Sequence, residues 1–216
     1  MKPSGAISSI AAVLAIITVA PIVTVCALAL VIEDGGPVFF RQRRMGRNGR
    51  VFDLVKLRSM KRVASGGKIT ARNDSRITTV GKVLRKYKID ELPQLWNVFR
   101  GDMSFIGPRP EVPEYVDLSD ERWQKVLLVK PGITDLASLA FRNEEDLLGD
   151  QGDIASFYRD WLLPRKLDLS AHYIRTRSFF TDAKLIALTL RHIAFPRQHD
   201  RHRIAKQFAY GGSLDQ

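Results

Sequence analysis

Cysteine is almost absent from this sequence, and acidic residues are outnumbered by basic ones. The single cysteine, Cys26, lies inside an apolar run, so no intramolecular disulfide can form, which fits a reducing compartment. With 34 basic against 23 acidic side chains, the net charge of +11 favours anionic partners such as nucleic acid, phosphates or an anionic membrane surface. Internal repeats and long low-complexity linkers are also missing, so the 216 residues predict one compact domain with attachments.

The sequence does contain a long uncharged apolar run at its start, residues 6–32. As one helix, these 27 residues would reach about 40 Å, more than the ~30 Å hydrocarbon core of a bilayer requires. We therefore expect this end to enter a membrane. A cleaved signal peptide is disfavoured because the run exceeds the usual ~7–15-residue apolar core and only Lys2 precedes it.

Two arrangements of this run stay open from composition alone. One is a simple spanning helix, and the other is a re-entrant hairpin broken at Ala20 and Pro21, because proline removes a backbone donor and kinks a helix. The two arms of the hairpin, 15 and 12 residues long, would reach only about 18–22 Å each and could not cross alone. Kinked spanning helices also exist, so composition does not decide.

A basic cluster follows the apolar run. Between residues 41 and 62 there are nine Lys or Arg residues and one acid, Asp53. Because positive charge favours the cytoplasmic side of a membrane segment, the main domain is predicted to face the cytoplasm. The cluster is either a solvated face or a contact with anionic lipid headgroups.

The remaining chain predicts an α+β, mainly helical fold. Strand-forming residues on either side of the Gly/Asn-rich segment 45–50 predict a small β-hairpin, and residues 61–76 predict a polar loop. Apolar residues at helical spacing predict a helix over 77–87, and a second helix follows over 92–99, with Pro93 in its first turn.

The C-terminal half predicts further helices. One spans 118–130 and ends at a Pro131–Gly132 turn, the segment 141–153 is acidic and loop-like at its ends, and helical segments over 154–178 are interrupted at Pro164. A helix over 179–195 is predicted to be amphipathic, and its apolar face either packs in the core or lies in a membrane interface. That face comprises Phe179, Ala183, Ile186, Leu190 and Ile193. The tail after Pro196 is predicted to be loosely ordered.

The segment "KIDELPQLWNVFRGDMSFIGPRPE", residues 88–111, carries the candidate chemistry. Asp90 and Glu91 precede a short helix, where acids are ordinarily favoured by the helix dipole. A carboxylate held there beside basic side chains stays ionised and can act as a nucleophile, and its neighbour can hold Mg²⁺ shared with substrate phosphates. Two prolines flank Arg109 and hold it extended, so its guanidinium is preorganised for phosphate, with Arg85 and Lys56 as further candidate contacts.

The stretch "IDELPQLWNVFRGDMSFIGPRP" resembles the signature of the bacterial sugar transferases, the monotopic phosphoglycosyl transferases. The segments "FRQRRMGRNGRVFDLVKLRSM", "NDSRITTVGKVLRK", "KPGITDLAS" and "LDLSAHYIRTRSFFTDAKLI" are similar to other parts of that family, so the resemblance covers most of the chain. It implies three regions: a re-entrant membrane helix-break-helix over 1–36, a catalytic domain over 37–195 with interfacial amphipathic helices, and a basic tail over 196–216.

The resemblance also implies an activity. Family members transfer a sugar-1-phosphate from a UDP-sugar to a polyprenyl phosphate such as undecaprenyl phosphate, release UMP and initiate surface glycan assembly. By resemblance, Asp90 is the nucleophile, Glu91 supports Mg²⁺ and Arg109 contacts the nucleotide sugar. The implied location is the bacterial inner membrane with the domain facing the cytoplasm. The expected partners are a UDP-sugar, polyprenyl phosphate, membrane lipids and downstream glycosyltransferases, with a homo-oligomer left open and no nucleic acid.

Three departures from the family pattern stand out. The basic pair and Asp before the apolar run are reduced to Lys2, the usual Ser-Pro at the helix break is Ala20-Pro21, and Thr-Gly-Trp is Thr134-Asp135-Leu136. The last departure bears on substrate preference more than on chemistry.

Two alternative hypotheses are a basic nucleic-acid-binding protein, for which the sequence contains no recognisable motif, and a non-catalytic membrane scaffold that retains the fold.

Overall fold

The computed structural model describes residues 3–61, 69–71, 74–149, 151–196 and 200–215. Most of the predicted polar loop, residues 62–68 and 72–73, therefore lies outside the described residues. The described chain is mainly helical with two small sheets, which confirms the predicted fold class in outline.

The elements follow one another in a simple order. The helices are α1 (Pro3–Asp34), α2 (Thr79–Lys86), α3 (Gln94–Arg100), α4 (Glu121–Val126), α5 (Leu136–Ala140), α6 (Glu144–Gly149), α7 (Ile154–Phe157), α8 (Leu163–Thr176), α9 (Phe179–Ala194) and α10 (Arg201–Gln207). The strands are β1 (Phe39–Met45), β2 (Val51–Leu57), β3 (Ser104–Ile106) and β4 (Gly132–Thr134).

The apolar run forms one helix, α1, with Pro21 inside it. By length and composition this helix could cross a membrane. The predicted break at Ala20–Pro21 is not confirmed, because helical structure continues through the proline. The Thr24 hydroxyl donates a hydrogen bond to the Ala20 carbonyl oxygen, 2.9 Å away, within the turn that follows the proline.

Helix α1 contacts the rest of the protein on both sides of Pro21. Ala12 is fully buried in a cluster with Val98 and Met103, and Leu30 is fully buried in a cluster with Leu57 and Leu84. Most of its other described residues are exposed, so much of the apolar surface of this helix is not covered by other parts of the protein. The helix therefore lies against the domain along much of its length.

The end of α1 is fastened to the domain by polar contacts. The Glu33 carboxylate accepts hydrogen bonds from the backbone N–H groups of Thr79 and Val80, at 2.6 and 2.9 Å, and so caps the start of α2. The Arg58 guanidinium donates to the carbonyl oxygen of Asp34 at 3.2 Å and to that of Gly36 at 3.3 Å. These contacts fix where the chain enters the first strand.

The predicted hairpin is confirmed. Strands β1 and β2 pair antiparallel from Phe39 opposite Leu57 to Met45 opposite Val51. The turn between them places Asn48 at a φ of 57°, a left-handed conformation that asparagine tolerates better than most residues. Helices α2 and α3 also confirm their predictions, although α3 begins at Gln94, so that Pro93 lies just before its first turn.

The prediction of a Pro131–Gly132 turn ending a long helix is wrong. Helix α4 stops at Val126, and Gly132 begins strand β4, which pairs parallel with β3. The reason is a close backbone crossing: a Cβ on Gly132 would lie 2.1 Å from the backbone nitrogen of Gly107. Only glycine permits this approach, which locks the Gly107–Arg109 loop in place.

Two predictions about the C-terminal half are refined. Segment 141–153, predicted as loop-like at its ends, contains helix α6 over Glu144–Gly149. The interruption predicted at Pro164 takes the form of a π-helical turn over Tyr158–Leu162, after which α8 starts with the proline in its first turn.

The tail does not behave as predicted. Its helix α10 buries Ile204 and Ala205, and these residues join Phe208 and Leu214 in the main hydrophobic core. The prediction of a loosely ordered tail is therefore wrong for the residues the structure describes. Basic residues dominate this segment, but a few apolar ones at helical spacing were enough to dock it. The domain boundaries at 36/37 and 195/196 stay predictions.

Helix α9 resolves the choice left open for its apolar face. Phe179, Ile186 and Leu190 are exposed, and Phe179 is 81% accessible. Core packing is made instead by Leu185, which is fully buried on another side of the helix. The core interpretation of that face is therefore wrong, and the exposed apolar surface is of the kind that contacts a membrane interface.

Candidate active site

The acid pair lies in a single 3-10 turn, Ile89–Glu91, between α2 and α3. Lys88 enters this turn with a φ of 56°, a left-handed conformation that sharply redirects the chain after α2. Asp90 and Glu91 are both buried, at 5% and 8% exposure. Burying two adjacent carboxylates is costly unless cations compensate, so their partners decide what the site can do.

Glu91 has those partners. The Arg109 guanidinium donates two hydrogen bonds to it, Nη1 to Oε2 at 3.0 Å and Nη2 to Oε1 at 2.7 Å. The Lys56 ammonium lies 3.4 Å from Oε1. These cations outweigh the effect of burial and hold the pKa of Glu91 well below its usual range. The pairing also raises the pKa of Arg109, so this pair is charged at every physiological pH.

Asp90 is in a different state. Its Oδ1 is buried and accepts no hydrogen bond from the described residues. Burial raises the pKa of Asp90, and the positive charge of Lys56 is the largest influence that opposes this rise. The prediction that neighbouring cations keep Asp90 ionised therefore left out burial, which favours the protonated form. A poorly solvated carboxylate of raised pKa is a stronger nucleophile once it is ionised.

Lys56 has an unusual pKa of its own. Burial lowers it to about 8, although Glu91 and Asp90 both act to raise it. The lysine lies on β2, which contacts the acid-pair turn directly, so the hairpin supplies this cation to the site. Its charge is therefore present at neutral pH and is lost as the pH rises through about 8.

A cavity of about 500 Å³ opens in front of the acid pair. All five sequence-predicted site residues line it, so the structure brings them together. Its walls carry nine basic side chains against five acidic ones, an excess that suits a diphosphate. The predicted site residues at the cavity are Asp90, Glu91, Arg109, Arg85 and Lys56.

Arg85 lines the cavity without joining the central cluster. Its guanidinium is paired with the Glu145 carboxylate and donates a hydrogen bond to the Ser59 hydroxyl at 3.2 Å. It can contact a substrate phosphate only by adding to, or exchanging, these partners. The role of Arg85 as a phosphate contact therefore stays a prediction, and the geometry supports it less than it supports the same role for Arg109.

Sequence reasoning missed a second polar group in the cavity. Glu111 pairs with Arg44 at 3.1 Å and accepts a hydrogen bond from the Tyr158 hydroxyl, while Glu144 pairs with Lys166 at 2.7 Å. Lys166 outweighs burial and lowers the pKa of Glu144 to about 2. The position of Glu111 directly after the Gly-Pro-Arg-Pro motif was an available signal. The contributions of Tyr158 and Lys166 from the distant C-terminal half had no sequence signal.

The departure at Asp135 proves to be structural. Asp135 is fully buried, caps α5 by accepting from the Ser138 backbone N–H at 2.7 Å, and accepts from the Ser170 hydroxyl at 2.7 Å. It is not among the residues that line the cavity. In this chain the position therefore ties α5 to α8, and its expected bearing on substrate preference has no support from the geometry.

Comparison of the sequence with known proteins identifies the family of this chain. A model of the bacterial sugar transferase family matches residues 5–196. This chain belongs to the bacterial sugar transferases, as its signature segment predicted.

Several curated relatives have informative names. An undecaprenyl-phosphate glucose phosphotransferase of Komagataeibacter xylinus is 38% identical over 196 residues, which is 87% of this chain but 35% of that protein. A UDP-glucose:undecaprenyl-phosphate glucose-1-phosphate transferase of Caulobacter vibrioides is 36% identical over 84% of this chain and 66% of its own length. The uncharacterized sugar transferase EpsL of Bacillus subtilis is 35% identical over 85% of this chain and 84% of its own length.

Proposed function

We propose that this protein transfers a sugar-1-phosphate from a UDP-sugar to a polyprenyl phosphate, releases UMP and so initiates surface glycan assembly. The observation that carries the proposal is Asp90. Asp90, a buried carboxylate with one oxygen that no described residue hydrogen-bonds, is among the residues that line a cation-rich cavity in a member of the sugar transferase family. The names of the relatives support the two substrate classes.

The proposed reaction has two displacement steps at one phosphorus. First, an Asp90 carboxylate oxygen attacks the β-phosphorus of the UDP-sugar, and the bond from that phosphorus to the bridging oxygen breaks. UMP leaves with the electron pair, and an aspartyl phosphosugar remains. A phosphate oxygen of the polyprenyl phosphate then attacks the same phosphorus, which frees the Asp90 carboxylate and forms a polyprenyl-diphosphate sugar.

Arg109 and Lys56 supply preorganised charge for these steps. Both are held on Glu91, so the donor diphosphate meets fixed cations rather than mobile ones, and this reduces the reorganisation that charge development would otherwise require. Glu91 thus has a second role besides any metal contact: it positions Arg109. The close backbone packing of Gly107 against Gly132 also helps to position Arg109.

The acid pair also fits a divalent cation. The unpartnered Oδ1 of Asp90 is a hard oxygen ligand, and Glu91 has lone pairs beyond those used by Arg109 and Lys56. Mg²⁺ usually takes one or two carboxylates and completes its shell with water and substrate phosphates, which this cavity can accommodate. When bound, Mg²⁺ would offset charge on the diphosphate.

The proposal places α1 in the membrane without crossing it. The Ser9 hydroxyl lies 3.5 Å from the carbonyl oxygen of Phe99, so the N-terminal part of α1 touches the same domain as its C-terminal end. A helix that crossed the bilayer would carry its start about 30 Å away from the domain. Contacts at both ends support a helix that lies along the domain rather than one that carries its start away from it, while the re-entrant break stays a prediction. The basic cluster after α1 supports a cytoplasmic domain.

Exposed aromatic residues support the same placement. The rings of Trp96 and Phe99 on α3, beside α1, contact each other in a tilted arrangement with their centroids 5.2 Å apart, and the two residues are 49% and 39% exposed. Phe179 and Phe180 at the start of α9 are more exposed still. Aromatic side chains of this kind are favoured at the membrane–water interface. A homo-oligomer and coupling to downstream glycosyltransferases stay predictions.

The decisive experiment is UMP release from a panel of UDP-sugars by detergent-solubilised protein with Mg²⁺ and undecaprenyl phosphate. We expect release with at least one donor, and loss of that release on chelation of the metal. Absence of release with every donor would contradict the proposed function and favour a non-catalytic scaffold.

A further inference from the structure

Two phenylalanines at the rim of the cavity have no role in the proposed chemistry. Phe39 and Phe40, at the start of β1, are 49% and 48% exposed, and both line the cavity that contains Asp90. Among the described residues, no other large apolar side chain both lines this cavity and is exposed. An exposed apolar rim on an otherwise cationic cavity calls for an apolar ligand.

The strand register places Phe40 next to the reacting centre, whereas Phe39, the preceding residue, pairs with Leu57 and points to the other face of the hairpin. Phe40 pairs directly with Lys56, so the two side chains lie on the same face of the hairpin. The ammonium of Lys56 in turn lies 3.4 Å from Glu91. The cross-strand pair of Phe40 and Lys56 therefore connects an exposed aromatic side chain with the acid pair.

The same rim is continuous with the membrane helix. Only residues 35–38 separate α1 from β1, and Pro37 also lines the cavity. Arg58 holds this connection in place through the carbonyl oxygens of Asp34 and Gly36. Phe39 and Phe40 thus stand where the chain passes from the apolar helix to the cationic cavity.

We infer that Phe39 and Phe40 bind the first isoprene units of the acceptor lipid and guide its phosphate to the aspartyl phosphosugar. This inference rests on the proposed function and deepens it. A polyisoprenoid chain matches the observations because one end must stay in apolar surroundings while the phosphate enters a cavity with excess positive charge. The uracil ring of the UDP-sugar is also able to stack on an aromatic side chain, and a rim used in that way would raise the KM for the UDP-sugar in the serine variants instead of changing the chain-length preference.

The test compares acceptors of different length in detergent. We expect the parent to have a lower KM for undecaprenyl phosphate than for methyl phosphate, a short, water-soluble acceptor that has no isoprene units to contact the rim. Phe40→Ser and the double variant Phe39→Ser/Phe40→Ser should raise the KM for undecaprenyl phosphate about tenfold, the scale of one lost apolar side-chain contact, and change the KM for the short acceptor much less. The preference for the long chain should therefore shrink.

Two controls separate the inference from folding defects. Phe40→Leu keeps an apolar rim and should keep the chain-length preference. Leu118→Ser removes a side chain that is 59% exposed and does not line the cavity, so it should leave both KM values unchanged. Exchange of labelled UMP into the UDP-sugar needs no acceptor, and it reports whether each variant still forms the aspartyl phosphosugar.

The outcomes are distinct. A parent without chain-length preference, or serine variants that retain it while UMP exchange is intact, would overturn the role of the rim and leave the proposed function standing. A parent with neither exchange nor transfer would overturn the proposed function itself, and the inference with it.

Discussion

Two buried aspartates at the starts of helical segments show how differently one residue type is used in this fold. Asp135 is fully buried, and both of its oxygens are satisfied, by the Ser138 N–H and the Ser170 hydroxyl. Asp90 is almost as buried, yet no residue in the described part of the chain hydrogen-bonds its Oδ1, and burial raises its pKa. A satisfied buried carboxylate stabilises the fold, whereas an unsatisfied one that faces a cavity is available for chemistry.

The largest expected effect comes from replacing the unsatisfied aspartate. Asp90→Asn should reduce transfer by at least about 10³-fold, because an amide cannot form the aspartyl phosphosugar. The stability should not fall. Since the folded-state pKa of Asp90 is raised, its ionised form opposes folding at neutral pH, and a neutral isostere removes that penalty.

Transfer kinetics and thermal unfolding of the same preparation check this prediction. Substantial transfer by well-folded Asp90→Asn protein would rule out Asp90 as the nucleophile. A lower midpoint of unfolding would mean that Asp90 resembles Asp135 more than the structure indicates.

The next effect concerns the cation that Glu91 holds. Arg109→Lys keeps the charge but loses the two-point contact with the carboxylate, so kcat/KM for the UDP-sugar should fall by roughly 10–100-fold. Arg177→Lys is the matched control, since Arg177 pairs with Asp182 and does not line the cavity. Equal kinetics in the two variants would show that the geometry of Arg109 is unimportant.

The satisfied aspartate should matter for stability instead. Asp135→Ala removes a helix cap and leaves the buried Ser170 hydroxyl without its acceptor, at a cost of about 2 kcal/mol in the free energy of unfolding. The activity per folded molecule should change little. Denaturant unfolding beside Asp153→Ala, which removes the exposed cap of α7, provides the comparison. We expect the smaller loss for Asp153→Ala, and the reverse order would contradict the assigned role of Asp135.

The smallest effect is a pH dependence. Because the pKa of Lys56 is lowered to about 8, its positive charge is lost as the pH rises through that value. The kcat/KM for the UDP-sugar should then decline by a few-fold on the alkaline side of pH 8. Lys56→Arg keeps its charge and should move this decline to higher pH. A profile identical to that of the parent would show that another group titrates.

The sequence alone predicted the local elements near the site well. The hairpin, α2 and α3 follow from strand-forming residues, turn residues and helical spacing, all of which act over a few positions. Predictions that depended on distant packing failed. Residues 201–207 contain only two apolar residues, Ile204 and Ala205, and this weak local pattern did not predict that the basic helix docks into the core. The crossing of Gly107 with Gly132 joins segments 25 residues apart.

What the sequence determined by itself is the family, the acid pair and the arginine loop, because these are carried by contiguous residues whose chemistry is fixed by their type. The tertiary structure decided which carboxylate is paired and which is left open. Burial and the position of Lys56 on a neighbouring strand set the pKa of each group, and both depend on how separate segments pack. The same packing exposes Phe39 and Phe40 at the rim of the cavity and leaves Asp135 as a buried cap.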